Sequence, residues 1–339
     1  MVLLVFIITT LNFIYNSVFY EKDLKEHSKE QYDIKRLQPK TDIFYFGESS
    51  NITYTDSDSI KTSIADIMNF FFPSLQVTMI NKSASHAGIF KHWLNCINLK
   101  ENKPKALVVT LNLRSFDAAW IHSKLETPLQ QSVVFTRHLP NLINRFALSL
   151  QAFDNKTDRQ RDKAILKDWE KTKLRFPYNF KYNTVRQWDD GMAREGLYKA
   201  DCSRDSSKTA LACHYIKSYA FNINENNPRI KDFDDIADWC QKNQVKLYLN
   251  LLAENVEYAD SLVGKELVFL MRQNRDFLVK RYSKNNCEVV DNLEWVPGIY
   301  YIDQNWTTEH YNYKGRMIIA KNLSESLKKQ FKNKYIKAY

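Results

Sequence analysis

Three times between Asp42 and Ser115 the chain repeats one pattern: a short β-branched or aromatic run, a polar turn, then apolar residues at helical spacing. The runs are 43–46 (Ile-Phe-Tyr-Phe), 75–80 and 106–111, and each reads as a buried strand. Between them, Ile60, Ile64, Ile67 and Met68 predict a helix over 59–71 that Pro73 stops, and a second helix is expected over 89–99 before Pro104. Strand, helix, strand, helix, strand is the pattern of a parallel sheet, whose carboxyl-end loops converge on one site. From Phe116 to about Asp232 the rhythm is lost in a stretch too long for a loop, so a structured, largely helical insertion is expected at about 117–232. It then resumes with a helix at 233–242, a strand at 246–252, a helix at 262–282, a short strand at 287–290 and a helix at 317–327. The fold class expected is α/β, a three-layer α/β/α sandwich with a central, mainly parallel sheet spanning 41–330.

Residues 1–20 carry no charged side chain and approach the length that crosses a bilayer, although Asn12 and Asn16 interrupt them. With no basic segment after Met1 and no small-residue cleavage site, an uncleaved transmembrane anchor is expected, followed by a charged stalk at 21–40. The other reading of 1–20 is a first helix docked on the core. A basic tail occupies 331–339. The net charge of +10 is scattered, so most of it reads as solvated surface, and no arginine-rich helix, RNA-binding signature or zinc module argues for nucleic acid. No metal spacing joins the five cysteines, and no cofactor motif is present; Cys202 and Cys213 are near enough in sequence to bridge in an oxidising compartment. Trp120, Trp169 and Trp188 read first as packing residues and second as a carbohydrate platform.

Each sheet-end loop carries a residue suited to acyl chemistry. Gly47 permits a sharp turn after the first strand, and Ser49 follows at the sheet edge, where a hydroxyl is exposed to substrate and helical N–H groups converge. The plainer role of Ser49 or Ser50 is to cap a helix. His310 is a candidate base, and the N–H groups of Ser49 and Gly88 with the Asn112 amide are candidate oxyanion donors. Taken singly, Gly88 reads as a turn, Asn112 as a strand-end cap and His310 as a surface residue.

In that order these residues resemble the SGNH (GDSL-like) hydrolase superfamily. Gly47-Glu48-Ser49 is similar to its Gly-Asp-Ser block, and Gly88 stands where its oxyanion glycine is expected. Asn112, within Thr110-Leu-Asn-Leu-Arg114, looks like its asparagine block, and His310 with Asn312 and Gly315 looks like its last block. The resemblance covers 42–115 and 245–325 and leaves out the insertion. Two departures stand out: Glu48 replaces the aspartate, and Thr307 occupies the position three before the histidine where the triad acid belongs. Glu309 and Asp303 are the candidates to orient His310, ahead of Asp291; a serine–histidine dyad held by a backbone carbonyl is the alternative.

The resemblance implies a membrane-anchored, extracytoplasmic acyl esterase or O-acyl (O-acetyl) transferase that works through an acyl-enzyme on Ser49. Its implied partner is an O-acylated cell-surface glycan or small acyl ester, with a membrane-bound acyl donor protein as a further implied partner. The competing expectation is a catalytically weak or inactive relative that binds glycan or assists polysaccharide assembly.

Overall fold

The computed structural model describes residues 2–37, 41–284 and 286–334. Its strands are β1 (Ile43–Gly47), β2 (Val77–Asn81), β3 (Ala106–Leu111), β4 (Lys246–Leu251) and β5 (Cys287–Asp291). They form one sheet in the order β2-β1-β3-β4-β5, parallel at every pairing. Successive strand residues point to opposite faces, and here both faces are apolar. Phe44, Phe46, Leu107, Val109, Leu247 and Leu249 share a core with the helices Ala87–Leu94, Pro228–Lys242 and Lys265–Tyr282. Ile43, Tyr45, Ala106, Val108 and Tyr248 face the helices Ile64–Phe71 and Tyr313–Lys328 across the other side. The result is the expected α/β class, layered helix, sheet, helix.

Caps account for where the helices begin. The helix expected from 59 starts at Ile64, because Ser63 Oγ accepts from the Asp66 N–H at 2.9 Å while the Asp66 carboxylate accepts from the Ser63 N–H. The helix expected from 233 starts at Pro228, which has no N–H to lose in the first turn, with Asn227 as its cap.

Between β3 and β4 the insertion folds as a run of helices, among them Glu126–Ser132, Asn141–Ser149, Asp158–Lys171, Val185–Glu195 and Ser206–Tyr219. Trp188, Tyr215, Ile216 and Tyr219 are buried in the same core as Val109 and Leu249, so the insertion packs onto the domain rather than standing apart.

The expected stalk is instead two helices, Tyr20–His27 and Lys29–Lys35, laid against the body. Their apolar residues Leu24 and Ile34 are buried, and Gln31 Nε2 donates to the Ser132 carbonyl at 2.7 Å. Ahead of them Val2–Val18 is a helix with most of its apolar side chains exposed. Asn12 Oδ1 accepts from the Leu142 N–H at 3.0 Å and Asn16 Oδ1 from Asn141 Nδ2 at 3.0 Å, so the two residues that interrupt the apolar stretch dock it on the insertion. Among the described residues no single helix is long and apolar enough to cross a membrane; Val2–Val18 and Tyr20–His27 pass that test only as a pair, bent by 66° at their break. Cys202 and Cys213 are both free thiols, the first exposed and the second buried. Of the tail, 335–339 lie outside the described residues.

Candidate active site

The order of the sheet reverses between β1 and β3, and in open parallel sheets the crevice at the carboxyl ends of such strands is where ligands bind. Gly47 ends β1 there, and its glycine is a matter of space: a Cβ would lie 2.6 Å from Asn81 Oδ1 on β2. Glu48 turns the chain and caps the short helix Ser49–Ile52, its Oε1 accepting from the Ser50 N–H at 3.3 Å. Ser49 is therefore the first residue of a helix, and its own N–H has no intrahelical acceptor. The cap expected of Ser49 or Ser50 is supplied by Glu48.

Ser49 Oγ lies 3.1 Å from His310 Nε2, and His310 Nδ1 lies 2.6 Å from Asp303 Oδ2. These residues are 261 and 7 positions apart, and a hairpin-like fold-back makes the second contact. Tyr301 bridges Tyr311 in antiparallel fashion, with the Ile302 N–H donating to the His310 carbonyl at 2.9 Å and the Asn312 N–H to the Tyr300 carbonyl at 2.9 Å. That pairing brings Asp303 back beside His310. Thr308 Oγ1 donates to Asp303 Oδ2 at 2.8 Å and helps aim the carboxylate.

Glu309 does not orient the imidazole. Along extended chain its side chain leaves on the opposite side from His310, and it pairs with Arg114, whose Nη2 is 2.7 Å from Glu309 Oε2 and whose Nε meets Oε1. Arg114 Nη1 also donates to Thr307 Oγ1 at 3.3 Å, so the residue in the family's acid position is a buried hydrogen-bond partner. Asp291 is engaged elsewhere, 3.0 Å from Arg275 Nη1.

β1 and β3 are neighbours in the sheet, and Ser49 and Asn112 follow their carboxyl ends, two residues past Gly47 and one past Leu111. Asn112 Oδ1 accepts from the Arg114 N–H at 2.9 Å, which fixes the amide plane, while its Nδ2 is buried without an acceptor. A buried unpaired donor costs roughly 1–3 kcal/mol, and a donor at the mouth of the switch point suits an oxygen that becomes negative during reaction.

The Gly88 N–H, the other candidate oxyanion donor, already has an acceptor. Gly88 lies in the first turn of the helix Ala87–Leu94, seven residues past the end of β2. Its N–H donates to His86 Nδ1 at 3.1 Å, and a Cβ there would meet Asp232 Oδ2 at 2.8 Å and Arg229 Nη1 at 3.0 Å, so close packing of two helices accounts for the glycine. In the turn after β2, Ala84 holds φ 62°, a left-handed conformation that its residue type does not announce.

Around the serine lies a buried acidic set. Burial, with the nearby charge of Glu309, raises the Glu48 carboxyl, and burial raises Glu254 well above the usual carboxylate range. Glu48 Oε2 is 2.9 Å from Ser49 Oγ, so the hydroxyl has two neighbours able to take its hydrogen bond, Glu48 and His310. One guanidinium ties the end of the Ser49–Ile52 helix to the histidine loop: Arg316, fully buried, donates to the carbonyls of Thr53 at 2.8 Å and Tyr311 at 2.6 Å and to Asp58 Oδ2 at 3.1 Å. Arg114, Glu254 and Arg316 carry no motif signal; only their shared burial reveals them.

No family model and no curated protein matches the chain. Among solved structures, one described as a candidate platelet activating factor from Streptococcus pneumonia superposes over 94% of this chain and 98% of its own, with TM-score 0.38 and 9% identity. Another, a mutant of the acetyl-xylooligosaccharide esterase Axe2 from Geobacillus Stearmophilus, covers 85% and 95% with TM-score 0.26 and 7% identity. Overlaps this loose carry no weight for function.

Proposed function

We propose that the chain is a serine-dependent acyl ester hydrolase or O-acyltransferase, with Ser49 as nucleophile, His310 as base and Asp303 as the group that orients the base. The observation behind this reading is the line Ser49 Oγ, His310 Nε2, His310 Nδ1, Asp303 Oδ2, with links of 3.1 and 2.6 Å. As Ser49 Oγ attacks an ester carbonyl, its proton passes to His310 Nε2 and the carbonyl π pair moves to oxygen. That oxyanion draws on the Ser49 N–H and Asn112 Nδ2, each such donor worth about 3 kcal/mol of barrier. Collapse of the tetrahedral species expels the alcohol, which takes the proton from His310, and leaves an acyl-Ser49. Water, or an acceptor hydroxyl, then gives its proton to His310 and attacks the acyl carbon; collapse of this second tetrahedral species breaks the bond to Ser49 Oγ, which takes the proton back from His310. Asp303 holds the tautomer that keeps Nε2 unprotonated before attack and balances the imidazolium afterwards.

The substrate proposed is an O-acylated cell-surface glycan, with the helix Val2–Val18 holding the protein at a membrane by its exposed apolar residues. Detergent-solubilised full-length protein is expected to hydrolyse p-nitrophenyl acetate and to be labelled by a fluorophosphonate. Ser49→Ala abolishes both on this reading, and equal labelling of wild type and Ser49→Ala removes Ser49 as nucleophile.

A further inference from the structure

The insertion contains a cleft of about 390 Å³ that none of the chemistry above uses. Its lining includes Trp169 and the four cations Lys171, Lys173, Arg175 and Lys217, against two acids, Asp117 and Asp168. Among the described residues no carboxylate pairs with Lys171, Lys173 or Arg175, and all three are exposed. Asp168 is engaged by His122 Nε2 at 2.8 Å, and Lys217 has Asp189 only at 3.7 Å. The cleft is therefore an unbalanced positive surface, and cations left unpaired along a concave wall attract anions. Trp169 adds a half-buried indole with Lys217 Nζ 5.8 Å from its ring, and the indole N–H is buried without an acceptor.

The floor of the cleft connects to the candidate site. Phe116 and Asp117 line it, and the Phe116 carbonyl accepts from Asn227 Nδ2 at 2.9 Å across it. They end the 3₁₀ turn Leu113–Phe116 that begins directly after Asn112. Five residues at about 2 Å each put the floor roughly 10 Å along the chain from the Asn112 amide.

We infer that this cleft binds an anionic oligosaccharide, its acidic groups met by Lys171, Lys173 and Arg175 and one sugar ring lying against Trp169. A single indole among cations suits one apolar sugar face with carboxylates on either side; a nucleic-acid strand would call for a series of stacking rings. As a statement about binding the inference is independent of Ser49; as a statement about substrate it rests on the proposed function.

The test is calorimetric titration of the full-length protein with a tetragalacturonate, with neutral xylotetraose and an octathymidylate as the other probes, at 50 and 300 mM salt. Tetragalacturonate is expected to bind, at least tenfold more weakly at the higher salt, and xylotetraose far more weakly than the uronide. The triple substitution Lys171→Gln, Lys173→Gln, Arg175→Gln should weaken binding at least tenfold with an unchanged melting temperature, whereas Ser49→Ala should bind as wild type does. Trp169→Phe, which keeps an aromatic face, should retain most of the affinity that Trp169→Ala loses. No binding of the uronide, equal affinity in the triple variant, or tighter binding of the octathymidylate overturns the inference. Absence of esterase activity in the wild-type protein, with uronide binding intact, would count against the proposed function alone.

Discussion

Asp303→Asn separates the roles of the two carboxylates that precede the histidine in sequence. The Asp303 side chain is 39% exposed and that of His310 21%, so their attraction is felt through a partly aqueous medium. Two unit charges about 4 Å apart interact by about 4 kcal/mol at an effective dielectric of 20 and by about 1 kcal/mol in water. Screening at this exposure places the imidazolium's stabilisation near the lower part of that range, at about 2 kcal/mol. At 1.36 kcal/mol per decade this predicts a fall in kcat of roughly thirtyfold, greater if the new amide turns its NH₂ to Nδ1 and imposes the wrong tautomer. Thermal stability should barely change, because the group is half-exposed. Glu309→Gln should do the reverse. It leaves Arg114 buried without its charge partner, a lesion of about 3–5 kcal/mol in stability, while the contact to His310 remains. Steady-state hydrolysis of p-nitrophenyl acetate alongside thermal melts reads both effects. A kcat for Asp303→Asn within threefold of wild type, or a Glu309→Gln protein that melts normally yet has lost its turnover, would refute the assignment of Asp303.

The remaining expectations concern the donors and the buried acids. Asn112→Ala should lower kcat by about 10²-fold or more through loss of an oxyanion donor, with little change in KM in steady-state kinetics; an unchanged kcat removes Asn112 from that role. Gly88→Ala should lower the melting temperature, since the new methyl meets Asp232 and Arg229, yet leave kcat nearly intact in the fraction that folds. A kcat loss there without a stability loss would restore Gly88 to the site. Burial lifts the Asp117 carboxyl to about 7, against which the backbone N–H groups of Trp120 and Ala119 and the charge of Arg114 pull only partly. Between about pH 4 and 7 the native state thus keeps a proton that the unfolded chain releases, so this contribution to stability is full below pH 4 and is lost as pH rises through 7. Asp117→Asn keeps the cap and removes the proton, so its melting temperature should fall less than that of wild type between pH 5 and 8; parallel falls would argue that Asp117 is not the titrating group.

The strands and the layer order were legible in the chain because a strand buried on both faces must be apolar at every position. Ile43–Gly47 and Ala106–Leu111 announce themselves without knowledge of their neighbours. Helix starts were read less well: Ser63 and Asn227 decide them through caps that compete with the apolar spacing alone. The stalk was misread because its charges hide the few residues, Leu24, Gln31 and Ile34, that bind it to the body.

At the site, residue types and their order sufficed to nominate Ser49, Asn112 and His310, since a nucleophile at a glycine turn and a late histidine are local signals. Which acid serves the histidine was not local. Glu309 and Asp303 are equivalent as carboxylates, and the choice between them follows from an antiparallel fold-back that turns one toward Nδ1 and sends the other to Arg114. Gly88 shows the same limit from the other side: a glycine records that a Cβ does not fit, and only the packing says whether a substrate or a neighbouring helix occupies the space. Composition along the chain determined which surfaces had to be buried; direction, meaning which side chain faces which, arose when strands 63 and 34 residues apart came into register.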